Sequence, residues 1–283
     1  MKKYLFPFVA LAFSIYACQK DTPTNILEKP YDKVCFLMTH NSMNNYEMGF
    51  TLPNQIHSIT NQLQNGVRGL MLDTYDGEDG IALTYHGFPG LGKQILVEAL
   101  IEIKTFLNNN PNEIVTIIFQ NGGSNEQLEK AIDSIHLGEL CYIHQVGSSW
   151  PVLQEMIDSN KRLVLFVEQD KLPRANYLMY AWQHVFDTEY SFTDINQFST
   201  HVNRGGDGYK SLYLVNHWLQ NEAIQNVFIP DSSLAPIANA KSILSKRVQD
   251  CYKANNHFIN FVGVDFYEIG DAKAVVDSIN NAN

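Results

Sequence analysis

Seven short, largely apolar runs, each followed at once by polar side chains, limit what this 283-residue chain can fold into. The runs are residues 34–38, 67–72, 81–85, 115–119, 163–167, 212–215 and 261–264. Just beyond them stand His40 with Asn41, Asp73, His86, Gln120, Glu168, Asn216 and Asp265. Apolar runs of this length with polar ends are expected of strands buried on both faces. The predicted strands are 33–39, 67–73, 81–85, 114–120, 162–168, 211–216 and 261–265, with a weaker one at 184–187. Helical patterns fill the gaps, over 55–65, 92–109, 125–135, 150–159, 175–184, 233–254 and 271–281. The clearest is 92–109, which puts Ile95, Ala99, Ile103, Phe106 and Leu107 on one face and stops before Asn110-Pro111. Strands alternating with helices imply a parallel sheet, most simply one closed α/β barrel. A doubly wound α/β sheet is the alternative.

The apolar share, 45%, and the aromatic share, 12%, suffice for the core of one large domain. Net charge is −10 and no basic block exceeds two residues, which argues against nucleic acid as a partner. Residues 1–18 read as a signal peptide: Lys2 and Lys3 precede an apolar stretch that is short for a membrane span. It ends Ile15-Tyr16-Ala17-Cys18, which resembles a bacterial lipobox, and residues 19–30 read as a tether. The expectation is an exported bacterial lipoprotein anchored to a membrane, periplasmic or at the cell surface, with 31–283 as the folded unit and a monomer as its state. With Cys18 carrying lipid, Cys35, Cys141 and Cys251 remain, in no CxxC or metal spacing, and no disulfide is expected.

In a barrel the strand ends form one mouth, where catalytic residues gather. Two histidines there, His40 and His86, suit a reaction that removes one proton and delivers another, because imidazole titrates near neutrality. A phosphodiester is a natural substrate for such a pair, with Arg68 or a metal neutralising charge on phosphorus. No GxSxG, HExxH, Walker or GxGxxG element is present, and Gly87-Phe88-Pro89-Gly90-Leu91-Gly92 reads as a turn.

The ordered set Thr39-His40-Asn41-Ser42, then Gln62-Leu63 with Gly66-Val67-Arg68-Gly69-Leu70-Met71-Leu72-Asp73, then Tyr85-His86-Gly87, resembles the X-domain of phosphatidylinositol-specific phospholipase C. Its secreted and plant-type branch is the most similar. The likeness continues through Asn110-Pro111-Asn112-Glu113-Ile114-Val115, Leu214-Val215-Asn216-His217 and Val264-Asp265-Phe266-Tyr267, so it spans the mature chain. The resemblance implies a single distorted (β/α)8 TIM barrel cleaving phosphatidylinositol, or a glycosylated relative, to diacylglycerol and a cyclic inositol phosphate. By motif, His40 is the implied general base, His86 the general acid and Asp265 the carboxylate orienting the base. Arg68, Glu168, Asn216 and Tyr267 are candidate substrate contacts.

Calcium-dependent members of that family match here at Asn41 and Asp73, but Met71 replaces one acid and Gln120 stands where a later Glu would be. Calcium-free bacterial members carry Arg at the position of Asp73 and Asp at that of Asn41. Asn41, Asp73 and Gln120 are thus the implied metal ligands, and one carboxylate predicts weak Ca2+ binding at best. Arg68 has a structural reading too, as half of a salt bridge. Two alternatives keep the fold: a phosphodiesterase for another headgroup, such as glycerophosphodiester or sphingomyelin, and a non-catalytic binding protein.

Overall fold

Apolar residues two apart on a strand share a face, and in this chain both faces of nearly every strand are apolar, so each must be covered. The computed structural model describes residues 25–224 and 227–282; the signal peptide, the lipobox and residues 19–24 of the tether lie outside them. Twelve strands form among the described residues: β1 Phe36–Thr39, β2 Gly69–Tyr75, β3 Leu83–Thr84, β4 Gln94–Ile95, β5 Val115–Asn121, β6 Leu163–Val167, β7 Met179–Tyr180, β8 Val185–Asp187, β9 Leu212–Asn216, β10 Gln220–Ile224, β11 Val227–Pro230 and β12 Phe261–Val264. Eight of them run parallel in the order β7-β6-β5-β2-β1-β12-β9-β8. No ladder between β7 and β8 appears among the described residues, so the single (β/α)8 barrel is distorted and open along that seam.

The helices are α1 Ile59–Gln64, α2 Leu96–Asn109, α3 Asn125–Ser134, α4 Leu153–Asp158, α5 Ala181–His184, α6 Ala235–Ala238, α7 Lys241–Asn255 and α8 Ala272–Asn281. Strand parity sorts the core into two layers. Phe36, Met38, Ile118, Phe166, Leu214 and Phe261 fill the barrel interior. Leu37, Leu70, Leu72, Ile117, Phe119, Leu165 and Val262 face outward, against Ala99, Ile103 and Leu107 of α2, Leu128 and Ile132 of α3, and Val275 and Val276 of α8. Each such side chain taken out of water contributes about 1.5–3 kcal/mol. Tyr31 closes the floor, stacked 4.6 Å from Trp150 and hydrogen-bonded through its hydroxyl to Thr116.

Three predicted elements differ. Residues 81–85 are not a stave of the barrel: β2 runs on past β1, and β3 folds back antiparallel on it, pairing Thr74 with Thr84. The 175–184 pattern gives β7 and a single turn, α5, rather than a helix throughout. The 233–254 helix breaks between α6 and α7, where the Asn239 side chain donates to the carbonyls of Asp265, Phe266 and Ile269. Tertiary hydrogen bonds there outweigh local propensity. Cys35, Cys141 and Cys251 are free and buried, and burial pushes the Cys141 thiol up to about 12. No helix among the described residues is long and apolar enough to cross a membrane. An apolar groove of about 330 Å³ between α7 and α8 lies outside the barrel.

Candidate active site at the barrel mouth

Parity explains why the polar strand ends converge. His40 continues the inward row of Phe36 and Met38; Gln120 follows Ile118, Glu168 follows Phe166, Asn216 follows Leu214, and Asp265 continues Phe261 and Gly263. Register sets their height: Asp73 pairs with Gln120, and Phe119 with Val167, which brings Glu168 level with Gln120. On the other side Thr39 pairs with Val264, so His40 and Asp265 are level neighbours. A pocket at this end is lined by His40, Asn41, Met71, Asp73, Gln120 and Glu168 together with Tyr190, Arg204, Asn216 and Trp218.

Each histidine has its own carboxylate. The His40 Nδ1 lies 2.9 Å from Asp265 Oδ1, and its ring stacks on Trp218 at 3.9 Å and 7°. With Nδ1–H donating to Asp265, the Nε2 lone pair is left for substrate. His86 arrives from the loop after β3, its Nδ1 3.0 Å from Asp73 Oδ2 and 3.1 Å from the Asn41 Nδ2. The ring centroids stand 6.3 Å apart, at 69°. The pair can therefore take a proton on one side of a bound group and give one on the other.

A second charged cluster forms the far wall. Arg204 donates to Glu168 Oε2 at 2.8 Å and to Asp187 Oδ2 at 3.0 Å, while its guanidinium lies over Trp182 at 4.3 Å and Tyr190 at 5.1 Å. The segment is clipped to β8 by Asn203 N–H on the Asp187 carbonyl at 2.8 Å and by Arg204 N–H on Asp187 Oδ1 at 2.9 Å. Gly205 follows at φ +70, where a Cβ would collide with the Val185 carbonyl. Burial pushes the Glu168 carboxyl up to about 7, against the pull of Arg204 and aided by Asp187 and Asp73. Folded Glu168 thus holds its proton more tightly than the unfolded chain. Its contribution to stability is full below pH about 4.5 and is lost as pH rises through about 7. Glu168→Gln is expected to raise the thermal midpoint relative to the parent at pH 8 and not at pH 4. Equal offsets at the two pH values would contradict this.

Two predicted substrate contacts are elsewhere. Arg68 sits at the N-terminal end of β2 with outward parity, donating to Glu113 at 2.7 Å and lying 4.8 Å over the Phe106 ring of α2. It is the salt bridge of the structural reading, far along the strand from the mouth. Tyr267 shares Asp265's parity on an extended chain, but Phe266 takes φ 48 and turns the chain outward. Tyr267 joins the outer core, where its hydroxyl accepts from Asn65 at 2.9 Å. Glu168 and Asn216 do line the mouth, with Asn216 donating to Asp187 at 2.9 Å.

The pattern of apolar runs with polar ends does not single out Arg204, Asp187, Asn54 or Trp218. Arg204 carried one faint signal, the Gly205-Gly206 that follows it. Asn54 carried none. Its side chain donates to both oxygens of Asp265, at 3.2 and 3.1 Å, and accepts from Asn41 and Asn44 at 3.2 and 2.7 Å. Beside it Gln55 donates to the carbonyls of His40 and Val264, stapling β1 to β12 beneath the site.

The residues implied as calcium ligands keep oxygen atoms free toward the mouth. Asn41 Oδ1, Asp73 Oδ1 and the Gln120 amide have no hydrogen-bond partner among the described residues and border the same pocket. They fit a cation as one charged and two neutral donors, and Glu168, the other carboxylate at hand, is already bonded to Arg204. No cluster of three His, Cys, Asp or Glu able to hold a metal occurs among the described residues. Ca2+ takes six to eight oxygens, so most of its shell would have to come from water or substrate.

The sequence model of the PI-PLC X domain matches residues 26–280. The chain belongs to the PI-PLC X domain family. It is 28% identical to a PI-PLC X domain-containing protein of Arabidopsis thaliana, over 94% of this chain and 65% of the plant protein. It is 29% identical to PI-PLC X domain-containing protein 1 of Arthroderma benhamiae, over 89% of this chain and 86% of that protein. The chain therefore spans just under two thirds of the plant protein's length and most of the fungal one's. In fold it is similar to phosphatidylinositol-specific phospholipase C from Listeria monocytogenes, with a TM-score of 0.60 at 15% identity, covering 90% of this chain and 95% of that one. A mutant of the Staphylococcus aureus enzyme superposes with a TM-score of 0.61 at 14% identity, covering 92% and 98%. The PI-PLC X domain fold, a distorted TIM barrel, is thus shared with enzymes whose sequences have diverged almost completely.

Proposed function

We propose that this PI-PLC X domain protein is a phosphodiesterase that cleaves phosphatidylinositol, or a glycosylated relative, by general acid–base catalysis. The observation that carries the reading is the pair of histidines 6.3 Å apart, each held by a separate buried carboxylate. His40, with Nδ1 engaged by Asp265, takes the proton of the headgroup hydroxyl that attacks phosphorus. The bond from that oxygen to phosphorus forms as the bond to the diacylglycerol oxygen breaks. His86, steadied by Asp73, gives its Nε2 proton to the departing oxygen. Diacylglycerol and a cyclic inositol phosphate result, and water can open the ring with the two roles exchanged. Arg204 is the guanidinium at the mouth, and Trp218 fixes the plane of the base. A Ca2+ held by Asn41, Asp73 and Gln120 would supply positive charge beside the phosphoryl oxygens.

The test is product analysis on vesicles that contain phosphatidylinositol, phosphatidylcholine and glycerophosphodiesters, with and without chelator. The expected result is inositol phosphate with its cyclic form appearing first. Release of choline phosphate or glycerol phosphate alone would assign another headgroup, and no release from any substrate would leave a binding protein. A loss of turnover of about tenfold or less in chelator is expected from the single charged donor, Asp73.

A further inference from the structure

The mouth is wired by one side chain that touches neither histidine's reacting nitrogen. Asn54 is fully buried on the loop between β1 and α1, and its backbone carbonyl accepts from Phe266 N–H at 2.9 Å. Its side-chain orientation is set by chemistry: an ionised carboxylate only accepts, so the two short contacts to Asp265 must come from Nδ2. That leaves Oδ1 to accept, and it does so from Asn44 Nδ2 at 2.7 Å and Asn41 Nδ2 at 3.2 Å. Asn41, in turn, donates from its nitrogen to Asn54, which leaves its oxygen at the mouth without a partner among the described residues. Asn41 stands at φ 46, a left-handed conformation that asparagine tolerates better than most residues and that such bonds hold in place. Asn44 is pinned by its second bond, to the Leu52 carbonyl at 3.0 Å. The direction of every hydrogen bond from Asp265 to Asn41 thus follows from Asn54, while His86 Nδ1 keeps its proton for Asp73.

We propose that Asn54 is a positioning residue that locks the Asp265 carboxylate onto His40 and, through its own oxygen, turns the Asn41 amide so that its oxygen serves the mouth as an acceptor. This rests on the proposed two-histidine reaction. An aspartate at 54 has the same size but cannot donate, and it sets a second carboxylate against Asp265 and an acceptor against nothing but acceptors on that side. An alanine only deletes the contacts. Polarity therefore predicts an unusual ranking: Asn54→Asp is the more damaging substitution, although a packing role would make it the milder one.

The test is steady-state cleavage of phosphatidylinositol by the parent, Asn54→Ala and Asn54→Asp, alongside 15N NMR of the ring and amide nitrogens without substrate. We expect kcat to fall about tenfold in Asn54→Ala and about a hundredfold or more in Asn54→Asp, with KM changed by less than about threefold. Asn54→Asp at or above the kcat of Asn54→Ala would overturn the proposal. In the parent, the Asn54 side-chain amide protons are expected to exchange with solvent far more slowly than a free amide. At alkaline pH, neutral His40 is expected to carry its proton on Nδ1. Free-amide exchange at Asn54, or a proton on Nε2 of His40, would also overturn it. The NMR arm needs neither turnover nor a folded variant. A parent without activity but with the protected amide and the Nδ1 proton would thus count against the reaction while leaving the wiring intact.

Discussion

His40→Ala is expected to lower phosphatidylinositol cleavage by about 100- to 10,000-fold, the range that a positioned general base contributes. The size follows from how much of the surroundings serves one nitrogen. Asp265 takes Nδ1 at 2.9 Å, Trp218 lies flat against the ring at 3.9 Å, and His40 N–H is tied to the Val264 carbonyl at 3.0 Å. Only Nε2 remains to act. The loss should appear in kcat with little change in KM, because a proton in flight is stabilised only in the transition state. Thermal unfolding by circular dichroism separates this from misfolding. His40 is a partly exposed side chain, and Asp265 keeps both bonds from Asn54 when the imidazole is gone. Retention of a tenth of the parent activity by folded His40→Ala would end the two-histidine mechanism.

His86→Ala is expected to lose a similar factor, about 100- to 10,000-fold, but only with a poor leaving group. The diacylglycerol oxygen departs as an alkoxide unless it is protonated, whereas nitrophenolate departs without help. An inositol phosphate ester of 4-nitrophenol should therefore relieve His86→Ala by tenfold or more and leave His40→Ala as impaired as before. The opposite pattern would exchange the roles of base and acid. Failure of the aryl ester to relieve either variant would place the loss in binding or structure. His86 is the more exposed of the pair, and Asp73 loses the one side-chain hydrogen bond it has among the described residues, so a modest change in midpoint is expected beside the kinetic effect.

Much of the site was legible because strand parity is a property of sequence. His40, Asp73, Gln120, Glu168, Asn216 and Asp265 all extend an inward row, and that row was visible as an apolar run with a polar end. The same logic failed for Tyr267, since one residue at positive φ, Phe266, breaks the two-residue period. It failed for Arg68 because the 67–73 run has two ends and two faces, and the arginine lies at the N-terminal end facing out. His86 follows an apolar run as expected and lies beside Asp73 and Asn41, yet it comes from a hairpin that folds back antiparallel rather than from a stave.

The amino-acid sequence by itself determined the barrel, its family and the paired histidines, since these depend on local periodicity and on motifs that neighbour one another along the chain. Only the tertiary structure decided which carboxylate serves which histidine, that Arg204 rather than Arg68 stands at the mouth, and which way the amides of Asn41 and Asn54 point. The reason is physical. Asp265 lies 225 positions from His40, and 211 from Asn54. A hydrogen bond between such residues leaves no local pattern, and its direction is fixed only when every donor and acceptor around a buried amide is in place.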